Sequence, residues 1–335
     1  MSSKVKIAKI ICPHCGRQIS SFNSKADTLL CPFCGQKSVN PLVKKGSIDA
    51  PELVLPFSLC AEDFVNMFAK SLCKKPFLPW DLLEAVQFEE LMRLYLPMYL
   101  YTGSFTSSWN CTEHYSVKLK SGKTSQRKRQ ARGRSEGNYA ILCLATADEE
   151  LPPELRAFAR TMNYPDAASV SSEADTAALL AGGFYTYEPT LDPRQLWQSR
   201  GRKHALQEAE AAAKAQAPSR RSNFKCSSRL NENLQGACLL VPFCYTHYRY
   251  KDEAGWFIAD GTGTYSTLKA PKDNRQVTAL VLCAAAGAAL GLLPGLSVNL
   301  LYMAAGALLG AGGFCLYAAK KRRDMLRAVF PKAAL

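Results

Sequence analysis

Apolar and polar positions change rhythm several times along the chain, and each change marks a different kind of element. Glu52 to Phe57 (ELVLPF) is a short apolar run that predicts a strand. From Ser58 to about Lys74 the spacing turns helical, with Leu59, Phe64, Val65, Phe68 and Leu72 near one face. Arg93 to Phe105 and Trp109 to Leu119 predict a strand pair, and Asn138 to Thr146 a third strand. A helix begins at Asp192-Pro193, where Asp supplies a cap oxygen, Pro suits the first turn and Gln195 completes a capping box; Pro218 ends it after Ala217. Residues 239–268 predict a further hairpin with turns before Gly255 and at Asp260-Gly261.

The last 60 or so residues are different in kind. Val277 to Leu293 is seventeen residues without a charge and Leu300 to Ala319 another twenty, joined by Pro294 to Asn299. Runs of that length predict a two-helix transmembrane hairpin, the first only just long enough. Lys269, Lys272 and Arg275 precede it, Lys320 to Arg323 and Arg327 follow it, and the connecting loop is uncharged. Positive flanks are held on the cytosolic side, so the expectation is a two-pass protein of the cell membrane with both termini in the cytosol. Gly287 and Gly291, and Gly306 and Gly310, have the spacing that lets helices approach closely.

Composition adds a constraint on partners. Of 335 residues 47% are apolar and 10% aromatic, which argues for a folded chain, while a net charge of +14 asks for an acidic partner. Much of that charge lies in residues 118–134, read as a basic loop between strands: Lys118, Lys120, Lys123, Arg127, Lys128, Arg129, Arg132 and Arg134, with no acidic residue. Arg127, Lys128, Arg129 and Arg132 are its candidate contacts to an anionic surface, a lipid bilayer in the first instance. No aromatic is interleaved there for stacking on bases.

Thirteen cysteines raise the question of chemistry. Four of them form Cys12-Pro13-His14-Cys15-Gly16 and Cys31-Pro32-Phe33-Cys34-Gly35, with fifteen residues between the pairs. That spacing predicts one structural Zn2+ held by Cys12, Cys15, Cys31 and Cys34, since a two-residue gap lets one tight turn bring both thiolates to a tetrahedral ion. Thiolate occupies every position, so no site is left for a catalytic water. Elsewhere signals for catalysis are thin. Cys111, Glu113 and His114 are close in sequence, but on a strand His114 takes the opposite face. Gly261-Thr262-Gly263 is too short for a phosphate loop.

Taken in order, the paired CPxCG knuckles, VLPF and a helix, PFLPWDL, LYLPMYLYTGSF, EPTLDP and LLVPFCYTHYRYKDEAGWFIADGTG resemble the bacterial membrane proteins that carry an N-terminal transcription-factor-IIB-type zinc ribbon. That family usually has Asn-Gly-x-Thr-Gly in its last hairpin, where this chain has Asp260-Gly261-Thr262-Gly263. The resemblance implies a ribbon, a membrane anchor and no established reaction.

The expected fold is therefore α+β: a zinc ribbon over residues 1–45, a central mixed domain with antiparallel strands over 50–270, the transmembrane hairpin over 277–319 and a basic tail over 320–335. The expected function is non-enzymatic, an adaptor that holds a cytosolic protein partner near the membrane. The alternative is a tethered nucleic-acid-binding protein using the ribbon, with Lys4, Lys6 and Lys9, and the basic loop.

Overall fold

A computed structural model describes residues 4–22, 28–39, 41–79, 81–118, 124–162, 164, 167, 172–173, 184–232, 236–290 and 300–329. In chain order the strands are β1 (Lys4–Ile11), β2 (Gln18–Ser21), β3 (Thr28–Leu30), β4 (Lys37–Val39), β5 (Leu42–Asp49), β6 (Leu53–Val54), β7 (Val86–Phe88), β8 (Met92–Lys118), β9 (Thr124–Leu144), β10 (Ser172–Glu173), β11 (Tyr185–Thr186), β12 (Arg221–Asn231), β13 (Ala237–Tyr250), β14 (Glu253–Asp260) and β15 (Ser266–Lys269). The helices are α1 (Ala61–Cys73), α2 (Leu82–Ala85), α3 (Pro153–Thr161), α4 (Pro193–Leu196, a π turn at Trp197–Gly201, then Arg202–Gln216), α5 (Asn274–Leu290) and α6 (Leu300–Val329). The chain divides into two compact units, Met1–Pro56 with Leu94–Pro242, and Phe57–Arg93 with Phe243–Leu335.

In the first unit β8 organises a largely antiparallel sheet. Its first residues are flanked by β11 (Tyr185↔Leu94) and by β13 (Leu240↔Pro97); farther on, β9 runs beside it from Met98↔Leu144 to Lys118↔Thr124, and β12 from Ser104↔Asn231 to Glu113↔Arg221. β2, β1 and β5 continue the sheet from β11 to the ribbon. α4 covers one face of the β9-β8-β12 part. Its Asp192 cap accepts from Gln195 N as the sequence predicts. Ala205, Ala209, Ala213 and Ala217, four apart, are all buried. Alanine lets the helix come close to a sheet face built from Tyr101, Phe105, Tyr139, Ile141, Trp109 and Cys111.

The π turn carries Trp197, which has no exposed surface, stacks near-parallel with Tyr139 at 5.7 Å and donates from Nε1 to Glu232. Gly201 is required beside it, because a Cβ there would come within 2.5 Å of the Trp197 ring.

In the second unit Cys60 caps α1 by accepting from Asp63 N. Phe68 and Leu72 of α1 pack on Tyr248, Phe257 and Leu268 of the β13-β14-β15 hairpins, with Phe68 edge-on to Phe257 at 5.1 Å. The Asp260 carboxylate, buried, accepts from Thr264 N and Tyr265 N and closes the turn that contains Gly263 at φ +80°.

Two expectations are corrected. Among the described residues no helix is long and apolar enough to cross a membrane. α5 has seventeen residues, about 25 Å of helix. It opens on Asn274, Arg275 and Gln276, and buried Gln276 donates to the Leu78 carbonyl, which fastens this end to folded protein. α6 does not stop at Ala319 but continues through Lys320, Lys321, Arg322, Arg323 and Asp324. The transmembrane hairpin and the two-pass topology with cytosolic termini therefore do not stand, and the lipid bilayer loses the anchor that made it a partner. Residues 291–293 and the loop Pro294 to Asn299 lie outside the described residues.

The glycine spacing serves close approach of the two helices. A Cβ on Gly310 would meet the Cys283 carbonyl oxygen at 2.2 Å and Gly287 Cα at 3.4 Å, so α5 and α6 pack backbone to backbone at this point. Gly310→Val should cost about 1–3 kcal/mol by forcing them apart, measurable as a lower denaturation midpoint of the full chain.

The second correction concerns residues 118–134. Thr124 onward is not a loop but the first half of β9, paired residue for residue with β8. Lys120 and Lys123 lie outside the described residues. Strand formation fixes which cations share a side, and that decides what they can bind.

Candidate functional site: a cysteine cluster and a basic sheet face

The two CPxCG segments form matching turns. Cys12 N donates to Arg17 O and Gly16 N to Cys12 O, while Cys31 N donates to Gln36 O and Gly35 N to Cys31 O. Gly16 and Gly35 have φ of +72° and +69°, the left-handed region that glycine enters without a Cβ clash. β1 and β2 lead into and out of the first turn, β3 and β4 the second, and Ala8, Ile10, Ile19 and Leu29 pack behind the sulfurs.

These turns bring Cys12, Cys15, Cys31 and Cys34 together, with all four Sγ atoms within 4.8 Å of one another. Cys12 and Cys34 sulfurs are 3.7 Å apart, Cys15 and Cys31 sulfurs 3.6 Å. Four thiolates at about 2.3 Å from a tetrahedral ion would lie at very similar separations, so the cluster could hold one metal ion without rearrangement. Burial acts to raise the Cys12 thiol, but the N–H groups of Cys15 and His14 directed at its sulfur bring it below its usual range. Burial pushes the Cys31 thiol up, against the N–H groups of Cys34 and Phe33. Those N–H groups are the outer-shell donors a thiolate cluster needs. His14 is exposed, as expected of a residue between the ligands.

The second feature is the face of β9-β8-β12 that α4 leaves uncovered. Register places Arg132, Asn110 and Lys225 side by side, then Arg134, Ser108 and Ser227 two residues on. Side chains alternate along a strand, so Lys128 and Arg229 lie on this same face. Lys128, Arg132, Arg134, Lys225 and Arg229 are all exposed. Two rows of cations, on β9 and β12, are thus about 10 Å apart, two strand spacings, with the hydroxyls and amides of Thr106, Ser108, Asn110 and Thr112 between them. A basin of about 650 Å³ runs over Ser108, Asn110, Arg132, Arg134, Lys225 and Ser227. Glu136 shares the face but pairs with Arg134 at 2.9 Å.

The four residues singled out in the sequence do not act together. Lys128 and Arg132 join the open face. Arg127 and Arg129 point to the other side, where Arg129 pairs with Glu113 at 2.6 Å and lies over the Tyr115 ring. Lys225 and Arg229 were missed, because nearly a hundred residues separate them from Arg132. Their alternation with Cys226 and Ser228 in SNFKCSSRLN was the available signal.

Other sequence candidates disperse. Cys111 is buried, and His114 bonds Ser222 through Nε2 at 2.7 Å. Lys9, an expected ribbon contact, is paired with Glu188 at 2.7 Å, whereas Lys4 and Lys6 are exposed.

No family model matches the chain, and neither a curated protein nor a solved structure is significantly similar to it. The likeness to ribbon-bearing proteins therefore rests on the four-cysteine cluster, which is compatible with a zinc ribbon.

Proposed function

We propose that the chain is a non-enzymatic binding protein in which the four cysteines hold one structural Zn2+, in a ribbon of the transcription-factor-IIB type, and the open face of β9-β8-β12 binds one strand of nucleic acid. The observation that carries the second part is the pair of cation rows flanking a polar trough. Along each strand, alternate residues are about 7 Å apart, a repeat that suits successive phosphates of an extended strand. Hydroxyl and amide groups in the trough can donate to phosphate oxygens. None of the face residues of β8, β9 or β12 named above is aromatic, so bases gain no stacking platform and binding is expected to be independent of sequence.

Fluorescence anisotropy with a labelled single-stranded oligonucleotide and the full chain tests this. Replacing Lys128, Arg132, Lys225 and Arg229 together by Gln should weaken binding at low salt by at least about a hundredfold, since a charged hydrogen bond contributes roughly 1.5 kcal/mol or more. Replacing Arg127 and Arg129 instead, on the opposite side, should change it little. Equal loss in both variants would contradict the assigned face. Anionic phospholipid vesicles that compete as well as the oligonucleotide would contradict the nucleic-acid assignment.

A second reading, a protein partner docked on the ribbon, is favoured by Val39, Leu42 and Val43, which are 71%, 61% and 38% exposed. Leu42→Asp should abolish capture of such a partner and leave oligonucleotide binding intact.

A further inference from the structure

A separate cavity of about 280 Å³ lies within the first unit beside the second knuckle, lined by Arg17, Ser20, Phe33, Glu150, Tyr187 and Glu188, with Gln18 and Thr190 at its margin. Its floor is buried: Tyr187 is 4% exposed and Ser20 3%. Arg17 and Glu150 are exposed at the rim.

The groups differ in how far their needs are met. Glu188 is already compensated, accepting from Lys9 Nζ at 2.8 Å and Ser20 Oγ at 3.1 Å. Glu150 forms no close ion pair among the described residues; the Thr190 hydroxyl bonds its carboxylate and Lys9 attracts it from farther off. Its carboxyl is held above the ordinary range, by partial desolvation first and then by repulsion from Glu188 and Glu149. Arg17 lies over the Phe33 ring at 5.2 Å and donates one N–H to Glu149 O, but no carboxylate pairs with it among the described residues. The Tyr187 hydroxyl, sealed from solvent, has no hydrogen-bond partner among them, although burying such a group costs about 1–3 kcal/mol. An anion without a close ion pair and a cation without a carboxylate partner therefore border the same small space, and Tyr187 forms part of its floor with its hydroxyl sealed off from it. A metal ion does not answer that set, because the only cluster of three or more metal-ligating side chains among the described residues is the cysteine cluster.

We propose that this cavity binds a small zwitterion of the α-amino-acid class, its carboxylate on Arg17 and its ammonium group on Glu150. The volume suits a ligand of that size and excludes a folded partner or a nucleotide strand. Phe33 lies between Pro32 and the ligand residue Cys34, so occupancy would press directly on the ribbon. The inference stands apart from nucleic-acid binding, which uses other residues of the unit.

The test is a thermal-shift and calorimetric screen of the full, metal-loaded chain against the individual proteinogenic L-amino acids, with each matched carboxylic acid lacking the amine as control. At least one amino acid should bind, and its des-amino analogue should bind about tenfold more weakly or worse. Arg17→Gln and Glu150→Gln, both at exposed positions, should each weaken binding by about tenfold to a hundredfold. Failure of every amino acid to bind overturns the proposal. So does binding that Glu150→Gln leaves unchanged or that the des-amino analogue reproduces.

Discussion

Cys12→Ala should strip the full chain of its metal, from about one zinc per chain to none, and unfold the segment from Thr28 to Val39 that the cluster organises. The expectation follows from how little else holds that segment. β3 and β4 are three residues each, pair only with one another, and are joined through residues 31–36, the second knuckle itself. The apolar side chains behind the sulfurs amount to a few residues, Ala8, Ile10, Ile19 and Leu29 among them. A structural Zn2+ contributes about 10 kcal/mol or more to such a unit. A lost thiolate also leaves the metal with an open position and the buried Cys31 without its counter-ion. Elemental analysis reads the metal directly, and proteolysis reads the unfolding. Zinc content equal to that of the parent would contradict the ligand assignment, and so would metal loss on replacing Cys60, which is exposed and is not one of the four clustered cysteines.

Trp197→Ala should cost about 4 kcal/mol, the range seen when a fully buried aromatic is truncated. Trp197 contacts Tyr139 in a stack and Tyr101 at 5.1 Å, and its Nε1 satisfies Glu232, which Arg202 also holds at 2.9 Å. Removing the ring opens a cavity between α4 and the sheet and removes one of the donors to Glu232. Urea unfolding of the first unit should shift accordingly. Trp197→Phe, which keeps most of the ring volume and loses only the N–H, should cost markedly less. If the two variants were equally destabilised, the hydrogen bond rather than packing would carry the site.

Much of this was legible from the sequence, and what was not has physical causes. The CPxCG pairs fix their own turns, since ligand spacing and the glycine after each second cysteine are local requirements. The Asp192-Pro193 start and the Pro218 stop marked α4, because capping and helix termination are local too. The π turn at Trp197–Gly201 was invisible, as it answers to the bulk of a ring packed against distant Tyr139. β8 reads as two strands because Gly103, Ser107 and Ser108 weaken the apolar pattern; pairing on both edges, by β9 and β12, keeps it one. The basic half of β9 reads as a loop because α4 leaves its face open to water, so no alternation of apolar residues is needed there. At the C-terminus, counting uncharged residues missed where the helices begin and end: α5 opens on Asn274, Arg275 and Gln276, α6 runs on through Lys320 to Asp324, and Gly310 and Gly287 serve a close helix pair.

On the proposed reading the open face of β9-β8-β12 holds nucleic acid through its phosphates, and the salt dependence of single-strand binding to the full chain reads this out. If Lys128, Arg132, Lys225 and Arg229 each neutralise one phosphate, the plot of log affinity against log salt should have a slope near −3, and affinity should fall about fiftyfold between 50 and 200 mM salt. A flat plot, or no binding at the lowest salt, would contradict it.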